Sequence, residues 1–174
     1  QHVKSGAKIT FATKSMVVNK SSVGEMTVVK VDENGRISEF AEAVSASEEP
    51  QDILINIWVA NKDYMVALLI DAMAHGYHSF TLELLSKYVS IDFIATYKYD
   101  GFYASINSME DYFACNMSML EPENSAQLFR NHKRPVLTKV RNSAPTTYVE
   151  GCEVNNSMIA DGCIIEGTVE NSIL

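Results

Sequence analysis

The sequence predicts an α/β domain followed by the opening coils of a hexapeptide β-helix. Residues 53–60 (Ile-Leu-Ile-Asn-Ile-Trp-Val-Ala) are apolar on both faces, which is typical of a strand covered by helices on both sides. A helical pattern follows directly. Two consecutive hexads, residues 159–164 and 165–170, each begin with isoleucine and have a small or acidic residue in second place. Such hexads predict the sides of a triangular parallel coil.

The remaining elements of the α/β part follow from local signals. Residues 7–14 form a short β-rich run, and Asn34-Gly35 predicts a hairpin turn with positive φ between residues 26–31 and 36–40. Asn61 is expected to cap a helix that Gly76 ends. A second helix is predicted over about residues 81–89, and strands over residues 92–99 and 102–106.

Two helices carry apolar stripes. In the first, the predicted inner face is Met65, Leu68, Leu69, Ala72 and Met73. In the second, a capping box at Ser108-Met-Glu-Asp111 opens a helix whose apolar positions recur at helical spacing: Met109, Tyr112, Phe113, Asn116, Met117 and Leu120. Both stripes are interpreted as core packing rather than as binding surfaces.

Composition excludes several classes of function. The chain has 174 residues, 47% of them hydrophobic, and a net charge of −8 from 14 basic and 22 acidic residues. This acidity argues against nucleic acid as the main partner, because phosphate contacts need clustered cations. No run approaches the roughly 18 apolar residues of a membrane span. The three cysteines lack CxxC spacing and fit a cytoplasmic protein with reduced thiols.

The terminal hexads have alternatives. Two hexads are also compatible with an ordinary hairpin. A solenoid needs several coils and a polar cap to be stable, and this chain has neither after Leu174. We therefore expect the chain to be a piece of a longer protein.

A basic stretch separates the two parts. Between residues 130 and 141, positive or titratable side chains concentrate, and Pro135 and Pro145 punctuate the segment. The predicted division is an α/β domain over residues 1–130, a linker over 131–147 and the β-helix start over 148–174. A solvated linker is the favoured interpretation. The alternative is an anionic effector site, such as one for a sugar phosphate, at Arg130, His132, Lys133 and Arg134.

Several motifs resemble the glucose-1-phosphate adenylyltransferase (ADP-glucose pyrophosphorylase) family. The most specific is Arg-Pro-Val-Leu-Thr-Lys-Val-Arg-Asn-Ser-Ala-Pro at residues 134–145, followed by residues 157–167 and 170–174. Residues 35–40, 53–60, 101–103 and 108–113 agree in order. The resemblance implies the C-terminal half of a Rossmann-like nucleotidyltransferase domain followed by the start of a left-handed parallel β-helix. It also implies that the glycine-rich nucleotide loop and the first metal-binding aspartate precede Gln1.

The resemblance implies a degenerate sugar-phosphate pocket. Active members carry Phe-x-Glu-Lys-Pro, with the lysine on the sugar phosphate, where this chain has Phe40-Ala-Glu42-Ala43-Val. Glu42 is retained and the cation is lost at Ala43. On the next strand, the serine and glycine that line the active pocket are replaced by Leu54 and Asn56.

The metal site is also changed. Active members supply a metal-binding aspartate where this chain has Ser105. Mg²⁺ is expected for the family reaction, but no cofactor, catalytic residue or metal site is predicted in this chain. The resemblance therefore points to a regulatory subunit that forms a heterotetramer with a catalytic homologue. The alternatives are an active nucleotidyltransferase with an altered pocket and, from another class, a hexapeptide-repeat acyltransferase or scaffold.

Overall fold

The computed structural model describes residues 1–133, 135–139 and 142–174. The chain is a mixed α/β protein with two compact units, residues 1–100 and 101–174. No helix among the described residues has the length and apolar character needed to cross a membrane. The predicted linker over residues 131–147 stays a prediction.

The first unit is built on a mixed five-stranded sheet in the order β3-β2-β4-β1-β5. Its strands are β1 (Ile9–Met16), β2 (Thr27–Val31), β3 (Ile37–Glu42), β4 (Gln51–Ala60) and β5 (Ile94–Lys98). Strand β1 pairs antiparallel with β4 and parallel with β5, while β2 pairs antiparallel with both β3 and β4. The sheet therefore combines a hairpin with one parallel pair around β1.

The predicted hairpin is confirmed, although its turn differs from the expected one. Gly35 has the left-handed φ of 75°, and Asn34 does not. Instead, Asp32 Oδ1 accepts hydrogen bonds from the backbone N–H groups of Asn34 and Arg36, each at 2.9 Å. A register shift between Lys30 and Val31 absorbs the longer loop. The side chain of Asp32 thus shapes the turn that Asn34 was expected to shape.

The helices of the first unit are α1 (His2–Ser5), α2 (Lys62–His75) and α3 (Ser86–Tyr88), with a 3₁₀ turn at Lys20–Ser22 and a π-helix at Phe80–Leu85. Asn61 stands at the N-cap of α2, and Gly76 ends it with a φ of 69°, as predicted. The expected inner face is partly wrong. Leu68 is buried, but Leu69 and Met73 are exposed because α2 is apolar on every side and the pattern does not single out one face.

Strand β4 is also only partly covered. Ile53, Leu54 and Ile55 are buried, whereas Ile57, Trp58 and Val59 are exposed, so the prediction of cover on both faces is wrong for the second half of the strand. The main core lies between the sheet and the helical segment of residues 80–89, where the largest buried side chains are Ile9, Phe11, Ile37, Leu54, Leu84, Leu85 and Ile94.

The second unit begins with two short helices, α4 (Met109–Ser118) and α5 (Pro122–Phe129). Ser108 caps α4 as predicted, its Oγ accepting from Asp111 N at 3.0 Å. Helix α5 was not predicted, although Pro122 at its first turn is a common start signal. The strand predicted over residues 102–106 is wrong, since those residues form neither helix nor strand.

The apolar stripe of α4 is not core. Met109, Tyr112 and Phe113 are exposed in this chain, so their interpretation as core packing is wrong. Helical periodicity identifies the stripe, but it does not say whether another element covers it.

The end of the chain contains three sets of parallel contacts. Strand β6 (Thr147–Tyr148) pairs with β8 (Ile164–Ile165), 17 residues later. Strand β7 (Glu153–Asn155) pairs with β9 (Thr168–Glu170), 15 residues later, and Met158 bridges to Ile173 at the same spacing. Because all these contacts are parallel, the hairpin alternative is wrong. Ile165 is buried and Ile164 is exposed, so only the first residue of the second hexad points inward.

A second repeat, of 15 residues, explains this register. Val-Asn-Asn-Ser-Met-Ile at residues 154–159 recurs as Val-Glu-Asn-Ser-Ile-Leu at residues 169–174. Asn156 and Asn171 both have left-handed backbone conformations, with φ values of 40° and 45°. Asn156 Nδ2 donates to Asn171 Oδ1 at 2.7 Å, and Ser172 N donates to Ser157 Oγ at 3.1 Å. The repeated polar pair therefore fixes one corner of each repeat over the next.

This corner predicts a graded effect at Asn171. Asn171→Ala removes the amide bond and places a Cβ-bearing residue without a polar side chain at positive φ, which should cost about 1–2 kcal/mol of unfolding free energy. Asn171→Gly loses only the bond and should cost about half as much. Urea unfolding followed by circular dichroism measures both. Equal losses for the two variants would contradict a role for the left-handed conformation.

Candidate functional site

Glu42 and Ala43 lie at the end of β3. Glu42 is exposed and stands opposite Thr27 of β2. Ala43 N donates to Met26 O at 2.9 Å, and Gly24 N donates to Ala43 O at 2.8 Å, so the backbone of Ala43 is fixed on both sides. The two neighbouring residues are thus presented in opposite ways, the carboxylate to solvent and the methyl group to the interior.

The Ala43 side chain is closed off from solvent. It is 4% exposed and packs in an apolar cluster with Val18, Met26 and Ile53. No charged side chain belongs to this cluster among the described residues. A cation at position 43 would therefore have to displace apolar neighbours or extend past them to reach water.

Leu54 belongs to the other face of the sheet. Its neighbour Ile53 packs with Ala43, and successive strand residues point to opposite faces. Leu54 is accordingly buried in the main core with Phe11 and Phe40. The structure therefore does not bring the side chains of Ala43 and Leu54 together, and both are part of apolar packing.

Asn56 is at an irregularity in β4. Phe11 stands opposite Trp58 and Thr13 opposite Leu54, so three residues of β4 face a single residue of β1. Asn56 lies at the centre of this bulge with a φ of 55° and an exposed side chain. Glycine and asparagine adopt this conformation most readily. The backbone thus explains asparagine at a position where the family pattern has glycine, a reason that sequence comparison alone does not supply.

An aromatic pocket lies next to the bulge and was not predicted. Trp58 stacks on Phe80 with ring centroids 5.5 Å apart. A shallow cavity of about 250 Å³ is lined by Gln1, His2, Thr10, Ala12, Ile57, Trp58, Val59 and Tyr97. His2 Nδ1 lies 2.8 Å from Thr10 Oγ1, and its Nε2 lies 3.3 Å from Asn61 Oδ1. The lining contains no carboxylate or ammonium side chain, so it suits an apolar group better than a phosphate.

Ser105 lies in the second unit, in the segment between β5 and α4. It is half-buried, and its Oγ donates to Asn107 Oδ1 at 3.3 Å. Among the described residues, no three His, Cys, Asp or Glu side chains converge on a point that could hold a metal ion. A hydroxyl engaged with an amide is a poor replacement for the carboxylate oxygens that Mg²⁺ prefers. The residues present do not fit a magnesium site.

The basic stretch follows α5. Arg130 is exposed, and its backbone N donates to Ala126 O at 3.2 Å. His132 and Lys133 are also exposed, and Lys133 N donates to Asn131 Oδ1 at 3.1 Å. Arg134 lies outside the described residues. Exposure on all three described side chains agrees with a solvated segment, and an anionic effector site here stays a prediction.

Comparison with known proteins gives two informative relatives. The Glycogen biosynthesis protein GlgD of Bacillus subtilis (strain 168) is 33% identical over 69% of this chain. The Glycogen biosynthesis protein GlgD of Geobacillus stearothermophilus is 38% identical over 60% of this chain. The matches cover 34% and 37% of these relatives, so the chain spans about a third of the length of the curated proteins it resembles. No family profile matches the chain.

The packing of Ala43 predicts the outcome of restoring a lysine. Ala43→Lys should lower the unfolding free energy by about 1–3 kcal/mol, because the longer side chain overpacks a buried cluster. The neighbouring Val44 is exposed, and Val44→Lys is the matched control. It should change stability by less than about 0.5 kcal/mol. Urea denaturation of both variants tests this, and an unchanged midpoint for Ala43→Lys would show that position 43 is not closed.

The bulge predicts a different pattern at Asn56. Asn56→Gly should change the unfolding free energy by less than about 1 kcal/mol, because glycine accepts the same φ. Asn56→Val should cost about 1–2 kcal/mol, because a β-branched side chain is strained there. Ile57→Val, on the same exposed part of β4, is the control. If thermal unfolding ranks valine and glycine equally at position 56, the left-handed conformation is not required.

Proposed function

We propose that this chain is part of a regulatory subunit of an ADP-glucose-forming adenylyltransferase of glycogen biosynthesis. In this proposal a catalytic homologue converts ATP and glucose 1-phosphate into ADP-glucose and pyrophosphate. The subunit described here contributes structure and regulation within a cytoplasmic heterotetramer. The similarity to two glycogen biosynthesis proteins supports the pathway, and the altered pocket positions support a non-catalytic role.

The packing of Ala43 carries the proposal. In the family that the motifs resemble, this position holds the lysine that neutralises the sugar phosphate. Here the position is not merely uncharged, because it is filled from within by Val18, Met26 and Ile53. A phosphate brought to this end of β3 would meet the Glu42 carboxylate rather than a cation, and like charges repel.

The chemistry of Ser105 supports the same conclusion from the second unit. Mg²⁺ would supply charge neutralisation for the phosphates in the family reaction. Its carboxylate ligand is replaced by a hydroxyl that donates to Asn107. No step of the transfer reaction is therefore assigned to this chain.

The proposal includes an assembly role for the end of the chain. Parallel contacts at three places in each repeat of 15–17 residues are the arrangement expected of coils with three sides. We interpret residues 147–174 as the first coils of a left-handed parallel β-helix. The mixed sheet would then be the C-terminal half of a Rossmann-like nucleotidyltransferase domain. Repeat coils offer extended surfaces for partner subunits rather than a site for chemistry.

A turnover assay tests the proposal. The full-length protein is purified alone, and separately in complex with its catalytic homologue, and ADP-glucose formation is measured with Mg²⁺ present. We expect no turnover above background from the protein alone. We expect a changed kcat or KM of the catalytic subunit in the complex. Robust turnover by the protein alone would favour the alternative of an active enzyme with an altered pocket.

A pair of variants separates a lost ligand from a lost fold. Ser105→Asp supplies a carboxylate, and Ser105→Asn has nearly the same shape without the charge. Activity that appears in the aspartate variant alone would show that the surrounding pocket is still competent. Absence of activity in both variants is the expected result, because Ala43 remains closed.

A further inference from the structure

The outer surface of α2 is apolar and uncovered. Four of its side chains share one face at helical spacing: Val66, Leu69, Ile70 and Met73 are 47%, 51%, 63% and 84% exposed. Ala67 and Ala74 beside them are small and exposed. Lys62 and Asp63 lie at the start of the helix, so no charged side chain interrupts the patch. We call these four residues the α2 outer face.

The opposite side of α2 holds the helix rigidly to the first unit. Leu68 is buried in the main core, and Tyr64, Met65 and Ala72 pack around it. Tyr64 Oη also donates to Asp92 Oδ2 at 2.7 Å, and burial raises the pKa of Tyr64. The outer face is therefore presented on a fixed helix, and it is not apolar surface that the helix could bury by rolling over.

The patch is large enough to matter for association. From ordinary side-chain areas and the exposed fractions, the α2 outer face presents roughly 500 Å² of apolar surface, at the upper end of what monomers expose. Two such faces packed together would remove about 1,000 Å² from water, which is the lower limit for a specific interface. A surface of this size and composition is typical of a helix that packs against another helix.

The spacing of the patch makes it self-complementary. Its four residues are placed symmetrically about the midpoint between Leu69 and Ile70. An antiparallel second copy therefore sets Val66 opposite Met73 and Leu69 opposite Ile70. Antiparallel packing also brings opposite ends of the two helix dipoles together. A face that matches itself under a two-fold axis is what an isologous dimer requires.

We propose that the α2 outer face is a dimer interface that binds the same face of a second copy of this chain. The contact is a pair of antiparallel α2 helices related by a two-fold axis. This inference goes beyond the proposed function and does not depend on it, since none of the four residues belongs to the pocket or to the parallel repeats.

Sedimentation of the chain tests the proposal. Analytical ultracentrifugation of residues 1–174 at about 50 µM should show a dimer, because an interface near the lower size limit gives modest affinity. Ile70→Asp places a charge at the centre of the contact and should weaken dimerisation at least tenfold. Ile70 is exposed, so circular dichroism should show an unchanged fold. A monomeric wild type, or a dimer that Ile70→Asp does not affect, would overturn the proposal.

Two controls distinguish the α2 outer face from other apolar surface. Leu137→Asp introduces the same charge at an exposed apolar residue far from α2 in sequence, and Phe113→Asp does so on the exposed stripe of α4. Neither should change the dimer. Dissociation by Phe113→Asp with Ile70→Asp unaffected would place the interface on α4 and refute the present assignment.

Cross-linking identifies the occupant directly. A photoreactive p-benzoylphenylalanine at position 70 should cross-link to residues 66–73 of the second copy, as read by mass spectrometry of the linked peptides. Cross-links to any other segment would overturn the two-fold register. These measurements need no ADP-glucose assay, so their failure is distinguishable from failure of the proposed function.

Discussion

The first unit depends on the pairing of β1 with two different neighbours. Strand β1 binds β4 on one side and β5 on the other, with opposite strand directions. Its side chains Ile9 and Phe11 are buried in the main core, so β1 organises both the sheet and its packing. The bulge at Asn56 follows from this pairing, because β4 can keep its contacts with β1 only by carrying extra residues at that point. The altered pocket positions are therefore distributed by the sheet and not gathered by it.

Signals that act over a few residues could be predicted from the sequence. Ser108 and Asp111 announce a helix start, Gly76 announces a helix end, and the residues around Gly35 announce a hairpin, because each satisfies backbone groups locally. Signals of burial could not be predicted in the same way. The stripes on α2 and α4 have helical spacing whether or not another element covers them, so periodicity assigns the helix and leaves its surroundings open.

The candidate site shows the same division. Motif comparison identified Ala43, Leu54 and Asn56 as changed positions, but it gave no reason for the residues that replaced them. The reasons lie in contacts between distant segments: Ala43 packs with Val18, Leu54 with Phe11, and Asn56 takes the backbone conformation of a bulge. The 15-residue repeat of Val-x-Asn-Ser was visible in the sequence. A search for spacings of six residues passes over it, because the corners of these coils shorten the repeat.

The closed cluster around Ala43 also has an evolutionary consequence. While a position is open to solvent, a single base change can remove a cation and another can return it at little cost. Once Val18, Met26 and Ile53 have closed over the methyl group, the return path crosses a loss of packing before any new charge can act. The change then behaves as a ratchet. A lineage that carries this cluster is held to roles that need no cation there, and selection can act only on its other surfaces.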